Sequence, residues 1–191
     1  MILATRNPGK NVGFTKKITD NGTGDIITLS EAKSFMRVTT DDDNTLINTI
    51  IEAMIDSAER YTGLSFRTKE MTLEFQEYGQ EIILPYGPHV TVDAVRTKYE
   101  GTETTLSSDA YWVTGQEFFT LNLTEFFTHQ QLEIDVTTGY GAGSVPALIK
   151  LALLKATLSN YEDRQDLIDG NANLLPNSSK KLLDQYKRVH F

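Results

Sequence analysis

The side chains able to do chemistry are few and poorly placed for it. The three histidines, His89, His129 and His190, are scattered, and the chain has no cysteine. None of the histidines has a second ligand at the short spacing of a zinc site. No serine stands in the G-x-S-x-G turn that exposes a hydrolase nucleophile. Asp41, Asp43 and Glu52 fall at the first, third and twelfth places of a calcium-loop count. However, Leu46 occupies the sixth place, where that loop needs glycine, and the segment already has a helical pattern. Acids at the positive end of a helix account for them. Gly139-Tyr140-Gly141-Ala142-Gly143 lies between a strand pattern and a helix pattern, where a dinucleotide loop would lie. Its spacing is G-x-G-x-G rather than G-x-G-x-x-G, and no parallel strand follows, so a turn from strand to helix is expected. No catalytic, cofactor-binding or metal-binding residues are assigned, and the chain is read as a non-enzyme.

One stretch keeps a second reading open. Ile2-Leu3-Ala4-Thr5-Arg6-Asn7-Pro8-Gly9-Lys10 resembles the opening of the nucleoside-triphosphate pyrophosphatases, which hold a triphosphate on a strand-to-helix loop. That resemblance implies phosphate contacts at Thr5, Asn7 and Lys10. It covers about ten residues, a length at which short motifs match by chance. Asn11-Val12-Gly13-Phe14-Thr15 does not continue into the amphipathic helix of that family, and its later acidic motifs have no counterpart.

The elements are easier to read than the chemistry. Residues 1–25, rich in Gly, Asn, Thr and Lys, read as an N-terminal arm. Thr28-Leu29-Ser30-Glu31 is a capping box and predicts a helix over about 29–36. Leu46, Ile47, Ile50, Ile51, Met54, Ile55, Ala58 and Tyr61 recur at helical spacing and predict a second over about 44–61, ended by Gly63. Between about 68 and 140 some six short β-rich runs alternate with turn signals, among them Pro85-Tyr86-Gly87-Pro88, and no helix pattern intervenes. Such runs predict an antiparallel meander or small sandwich. Pro146 opens a third helix, about 146–163, which is apolar on nearly every face through Leu148, Leu151, Leu154 and Leu158. A helix of that kind is covered on more than one side, by its own fold or by a neighbouring subunit. A short terminal helix bearing Leu182, Leu183 and Tyr186 follows Pro176.

Charge divides the chain. Residues 1–17 hold Arg6, Lys10, Lys16 and Lys17 with no acid, and residues 176–191 hold four cations against Asp184. The body, 18–175, has 10 basic and 25 acidic side chains, within a net −8 for the 191 residues. An acidic body disfavours a nucleic-acid-gripping face, because phosphate contacts need clustered Lys and Arg. The basic ends either dock on the acidic body of another copy or serve solubility. The absence of cysteine excludes disulfides and suits a reducing compartment. No apolar stretch reaches the ~18 residues of a membrane span. No hydrophobic region of signal-peptide length precedes Arg6, so a soluble, non-exported protein is expected.

In order and spacing, three stretches are similar to the head–tail connector, or adaptor, proteins of tailed bacteriophages. They are Ile27 to Lys33 with Asp41-Asp42-Asp43 and Leu46 to Gly63; Leu84-Pro85-Tyr86-Gly87-Pro88-His89-Val90; and Thr138 to Gly141, Val145 to Lys150 and Tyr161 to Arg164. With Leu175-Pro176 and Leu182-Leu183 they extend over most of the chain from residue 27. The resemblance implies an α+β fold: a helical connector core carrying an antiparallel β insert at 68–140 and a C-terminal tail helix. Residues 1–27 are then an arm, 28–163 the connector domain and 164–191 the tail. It also implies a ring, commonly of twelve copies, beneath the portal of the head, which extends the DNA channel and meets the next connector or the tail. Double-stranded DNA would pass without sequence-specific contact, and assembly in the bacterial cytoplasm would place the protein in the virion. Another phage ring or tail-terminator protein is the nearest alternative. Leu148, Leu151, Leu154 and Leu158, with Lys180, Lys181, Leu182, Leu183 and Tyr186, are the expected contacts with neighbouring subunits or the portal.

Overall fold

The computed structural model describes residues 14–22, 24–125, 130–141, 143–163 and 175–187. They fall into two compact units, the residues up to Gly22 with Thr68–Gly139, and the residues through Arg67 with those from Tyr140 onward.

The first unit is made of strands. A five-stranded antiparallel sheet has the order β1 (Phe14–Asp20), β2 (Lys69–Phe75), β8 (Gln131–Thr138), β4 (His89–Tyr99), β5 (Thr102–Thr105). A three-stranded sheet has the order β3 (Glu81–Ile83), β7 (Thr120–Leu123), β6 (Tyr111–Thr114). Alternation sends one side of the inner strands β2 and β8 inward. Met71, Leu73 and Phe75 meet Leu132, Ile134 and Val136, and both rows share a core with Val95, Ile82, Leu84, Leu121 and Leu123. The turn before β4 is tightly packed. A Cβ on Gly87 would stand 2.6 Å from the Phe118 ring and 2.8 Å from the Glu117 carbonyl, so only glycine fits there.

The second unit is helical: α1 (Leu29–Met36), α2 (Asn44–Thr62), α3 (Ala147–Glu162) and α4 (Asn177–Leu183), the last running into a 3-10 turn at Asp184–Tyr186. The capping box of α1 is formed. The Glu31 N–H donates to Thr28 Oγ1 at 3.1 Å and the Thr28 N–H donates to the Glu31 carboxylate at 2.7 Å. Gly63 closes α2 in the left-handed region at φ 72°, its N–H donating to the Glu59 carbonyl at 2.8 Å. α3 packs against α1, α2 and α4 through its buried Ile149, Ala152, Leu153 and Ala156.

The α+β class stands, but the expectation of a helical core with a β insert is corrected. The two antiparallel sheets hold a cluster of buried apolar side chains of their own, and the helices belong to the other compact unit. The physical reason is the eleven buried apolar side chains on the strands and at Leu84, just past β3, which pack on one another. Phe14–Asp20, within the stretch read as an arm, is a strand paired along β2, and Thr102–Thr105 is a further strand.

Candidate interaction surfaces

The groups considered first for chemistry are already engaged in structural bonds. Asp41 accepts from Lys33 Nζ at 2.6 Å and from Asn44, contacts that hold its carboxyl below the usual carboxylate range. Asp43 accepts from the Tyr161 hydroxyl at 2.5 Å. The two oxygens of Glu52 take a fork of bonds from Arg67 at 2.6 and 2.7 Å, which lowers the Glu52 carboxyl and raises the guanidinium. His89 is buried. Its Nε2 meets the Pro85 carbonyl at 2.8 Å, its Nδ1 accepts the Phe119 N–H at 3.2 Å, and its ring stacks on Phe119. It braces the Pro85–Pro88 turn rather than facing a ligand. Gly139 and Gly141 both have positive φ, 111° and 74°, as a chain-reversing turn requires. Among the described residues no cluster of His, Asp and Glu is arranged to hold a metal ion. Thr5, Asn7, Lys10, His129 and His190 lie outside the described residues.

Two surfaces remain. The outer face of the five-stranded sheet is polar and rich in acids. Arg96 donates a forked pair of bonds to Asp135, one of them at 2.9 Å, and its Nε lies 3.5 Å from Glu133. Lys98 Nζ lies 3.4 Å from both Glu133 and Glu103. Thr72 donates to Asp135 at 2.7 Å and Thr137 to Asp93 at 2.8 Å. The Arg96 guanidinium, helped by Thr72, holds the Asp135 carboxyl below its ordinary value. A hollow of about 360 Å³ on this face is lined by Glu70, Thr72, Asp93, Arg96, Asp135 and Thr137, among others.

The other surface belongs to the helical unit. On α3, Leu148 is 38% exposed, while Leu151, Leu154 and Leu158 are half-buried along the side away from the core. On α4, Lys181 is exposed and Lys180, Leu182 and, just beyond, Tyr186 are half-buried. Leu183 is buried within its own unit, and Ser179 Oγ donates to the Ala152 carbonyl at 2.9 Å. Asp184 accepts from the Tyr61 hydroxyl, which raises the phenol's pKa, and Lys187 Nζ lies 4.7 Å from the Tyr61 ring centre. α4 is therefore seated on α3 and α2, and the expected tail contacts are split between buried and accessible residues.

Residues 26–117 match the family model of the phage gp6-like head-tail connector proteins. The match agrees with the resemblance to head–tail connectors read from the sequence. The match runs from the strand-free start of the helical unit through most of the sheet region, just under half the chain. Likeness in fold extends further than that match. The chain is similar to a protein in the neck of an empty gene transfer agent (GTA) particle computed with C6 symmetry, at 21% identity and TM-score 0.73, over 94% of this chain and 97% of that one. It is similar to a chain in the virion of the native GTA particle at 21% identity and TM-score 0.74, over 92% and 96%. A chain of the native GTA neck computed with C12 symmetry gives 20% identity and TM-score 0.68, over 92% and 97%. At these identities the likeness is one of fold. No curated protein matches. Sequence reasoning missed the polar network of Arg96, Glu133 and Asp135, because alternating charges on a strand look like ordinary solvent-facing residues until their pairing is known.

Proposed function

We propose that this connector forms a closed ring beneath the portal, extends the channel through which double-stranded DNA passes, and joins the head to the next connector or tail protein. The observation that carries this reading is the family match together with a fold shared over nearly the whole chain with proteins of GTA particles. Two of those structures are necks treated with C6 or C12 symmetry, which suits a ring of about twelve copies. A ring needs heterologous contacts that close on themselves. The apolar outer side of α3, with Leu148, Leu151, Leu154 and Leu158, serves as part of such a contact. Lys180, Lys181, Leu182 and Tyr186 offer the tail's outer side to the portal or an adjacent subunit. A body of 10 basic and 25 acidic residues repels phosphate, as a channel that passes DNA without gripping it should.

The test is the mass of the purified protein by light scattering over a concentration series, alone and with the portal. A step from monomer to a ring of roughly a dozen copies, or ring formation only with the portal, is expected, since association is driven by mass action. A monomer or dimer indifferent to both concentration and portal overturns the reading. The tail is tested separately by Lys181→Glu, which reverses an exposed charge without uncovering α3. Incorporation into portal-bearing heads should fall while the monomer's unfolding curve stays unchanged. Unimpaired incorporation removes Lys181 from the contact.

A further inference from the structure

The open edge of β6 is unlike the other sheet edges. β3 carries Glu81 and β5 carries Glu103, charges of the kind that discourage stray pairing, and β1 is basic, with Lys16 and Lys17 against Asp20. β6 reads Tyr111-Trp112-Val113-Thr114, with no charge and no proline. Among the described residues it lies at the end of its sheet, bonded to β7 on one side only. Trp112 is 51% exposed and Val113 36%. An uncharged edge that displays a tryptophan is a template for another strand.

Charge indicates which strand. From Tyr99 to Ile149 the chain has seven acidic residues and no lysine or arginine, and β6 lies inside that stretch, flanked by Asp109 and Glu117. The opposite extreme is residues 1–17, with four cations and no acid, which run into β1. β1 is itself an edge strand, paired among the described residues with β2 alone. We propose that the open edge of β6 in one copy pairs with the open edge of β1 in a second copy, the basic strand set against the acidic surroundings of β6. The contact joins two different surfaces, so it propagates from copy to copy, as a ring requires. Pairing of β6 with β6 would stop at a dimer. Four residues supply few backbone bonds, so a single contact is weak and gains its effect from repetition round a closed ring. The proposal rests on the ring reading above and names one of its contacts.

The absence of cysteine gives a clean cross-linking test. Lys17→Cys and Thr114→Cys are made as separate proteins and as a double variant, both positions being exposed. Paired strands lie ~5 Å apart and each step of register adds ~3.4 Å, so a short bis-maleimide reaches across without a known register. Light scattering on the same samples reports ring formation independently. The expected result is a ladder of covalent multimers from the double variant, a dimer from the mixed single variants, and monomer from either single variant alone. Rings without those cross-links overturn the β1–β6 contact and leave the ring reading standing. An absence of rings as well as cross-links overturns both. Cross-links from Thr114→Cys alone would show β6–β6 pairing and also overturn the proposal. As a second arm, Trp112→Lys places a charge on the edge at an exposed site. It should raise the concentration needed for assembly by at least tenfold with an unchanged monomer fold, and unaltered assembly counts against the proposal.

Discussion

Replacing Arg96 by Met keeps an unbranched stem of similar length and removes the cation from the polar face of the large sheet. Arg96 binds Asp135 through two bonds and approaches Glu133 at 3.5 Å. The side chains are 22%, 29% and 9% exposed, so Glu133 is the more desolvated carboxylate. A partly exposed pair such as Arg96–Asp135 contributes about 1 kcal/mol. Leaving Glu133 buried with only Lys98 nearby costs about a further 1–2 kcal/mol, short of the full penalty for an orphaned buried charge because Lys98 remains. The substitution should therefore destabilise the sheet unit by about 2–3 kcal/mol at pH 7. The pH dependence separates charge from packing. Asp135 has a folded-state pKa below its unfolded value, so its contribution is complete above the unfolded value and is lost as pH falls through the depressed one. The gap between the parent and Arg96→Met should shrink progressively as pH falls below about 4. Urea unfolding followed by near-UV circular dichroism and by Trp112, the sole tryptophan and a residue of this unit, measures it. A gap that does not diminish as the carboxylates are protonated in acid, or is absent at pH 7, refutes the electrostatic argument.

Three further outcomes are expected. His89→Ala leaves the Pro85 carbonyl and the Phe119 N–H without their ring partner and opens space beside Phe119. It should cost about 2–4 kcal/mol in urea midpoints, and a loss under 1 kcal/mol would mean the turn stands without its brace. Thr28→Ala removes the capping hydroxyl of α1 and should lower stability by about 1 kcal/mol, read as faster amide exchange in the first turn of α1; unchanged exchange contradicts the cap's role. Leu148→Glu, in the exposed first turn of α3, should leave monomer unfolding within about 0.5 kcal/mol. The same variant should weaken association in light scattering, and normal assembly would remove Leu148 from the subunit contact.

The sequence alone determined the elements whose signals are local. The capping box at Thr28–Glu31, the periodic row from Leu46 to Tyr61 with Gly63 behind it, and Pro146 before an apolar run each carry their own boundary. α1, α2 and α3 fall within a residue of where those signals put them. The stretches around Gly63 and Leu84–Val90 were also enough to suggest the connector likeness, and both lie within the residues that match the connector family model. β1 and β5 gave no such signal. Phe14–Asp20 and Thr102–Thr105 are mostly polar and exposed, because an edge strand is held by backbone bonds to its neighbour rather than by buried side chains. The same physics hid the relation between sheets and helices. Apolar periodicity says that a face is covered but not by what, and only the folded chain shows the strands covering one another around Leu73, Ile134 and Leu121. The split of the tail was likewise a tertiary decision. Leu182 and Leu183 are indistinguishable in sequence, yet Leu183 is buried in its own unit and Leu182 remains partly accessible, because helical rotation turns adjacent side chains about 100° apart.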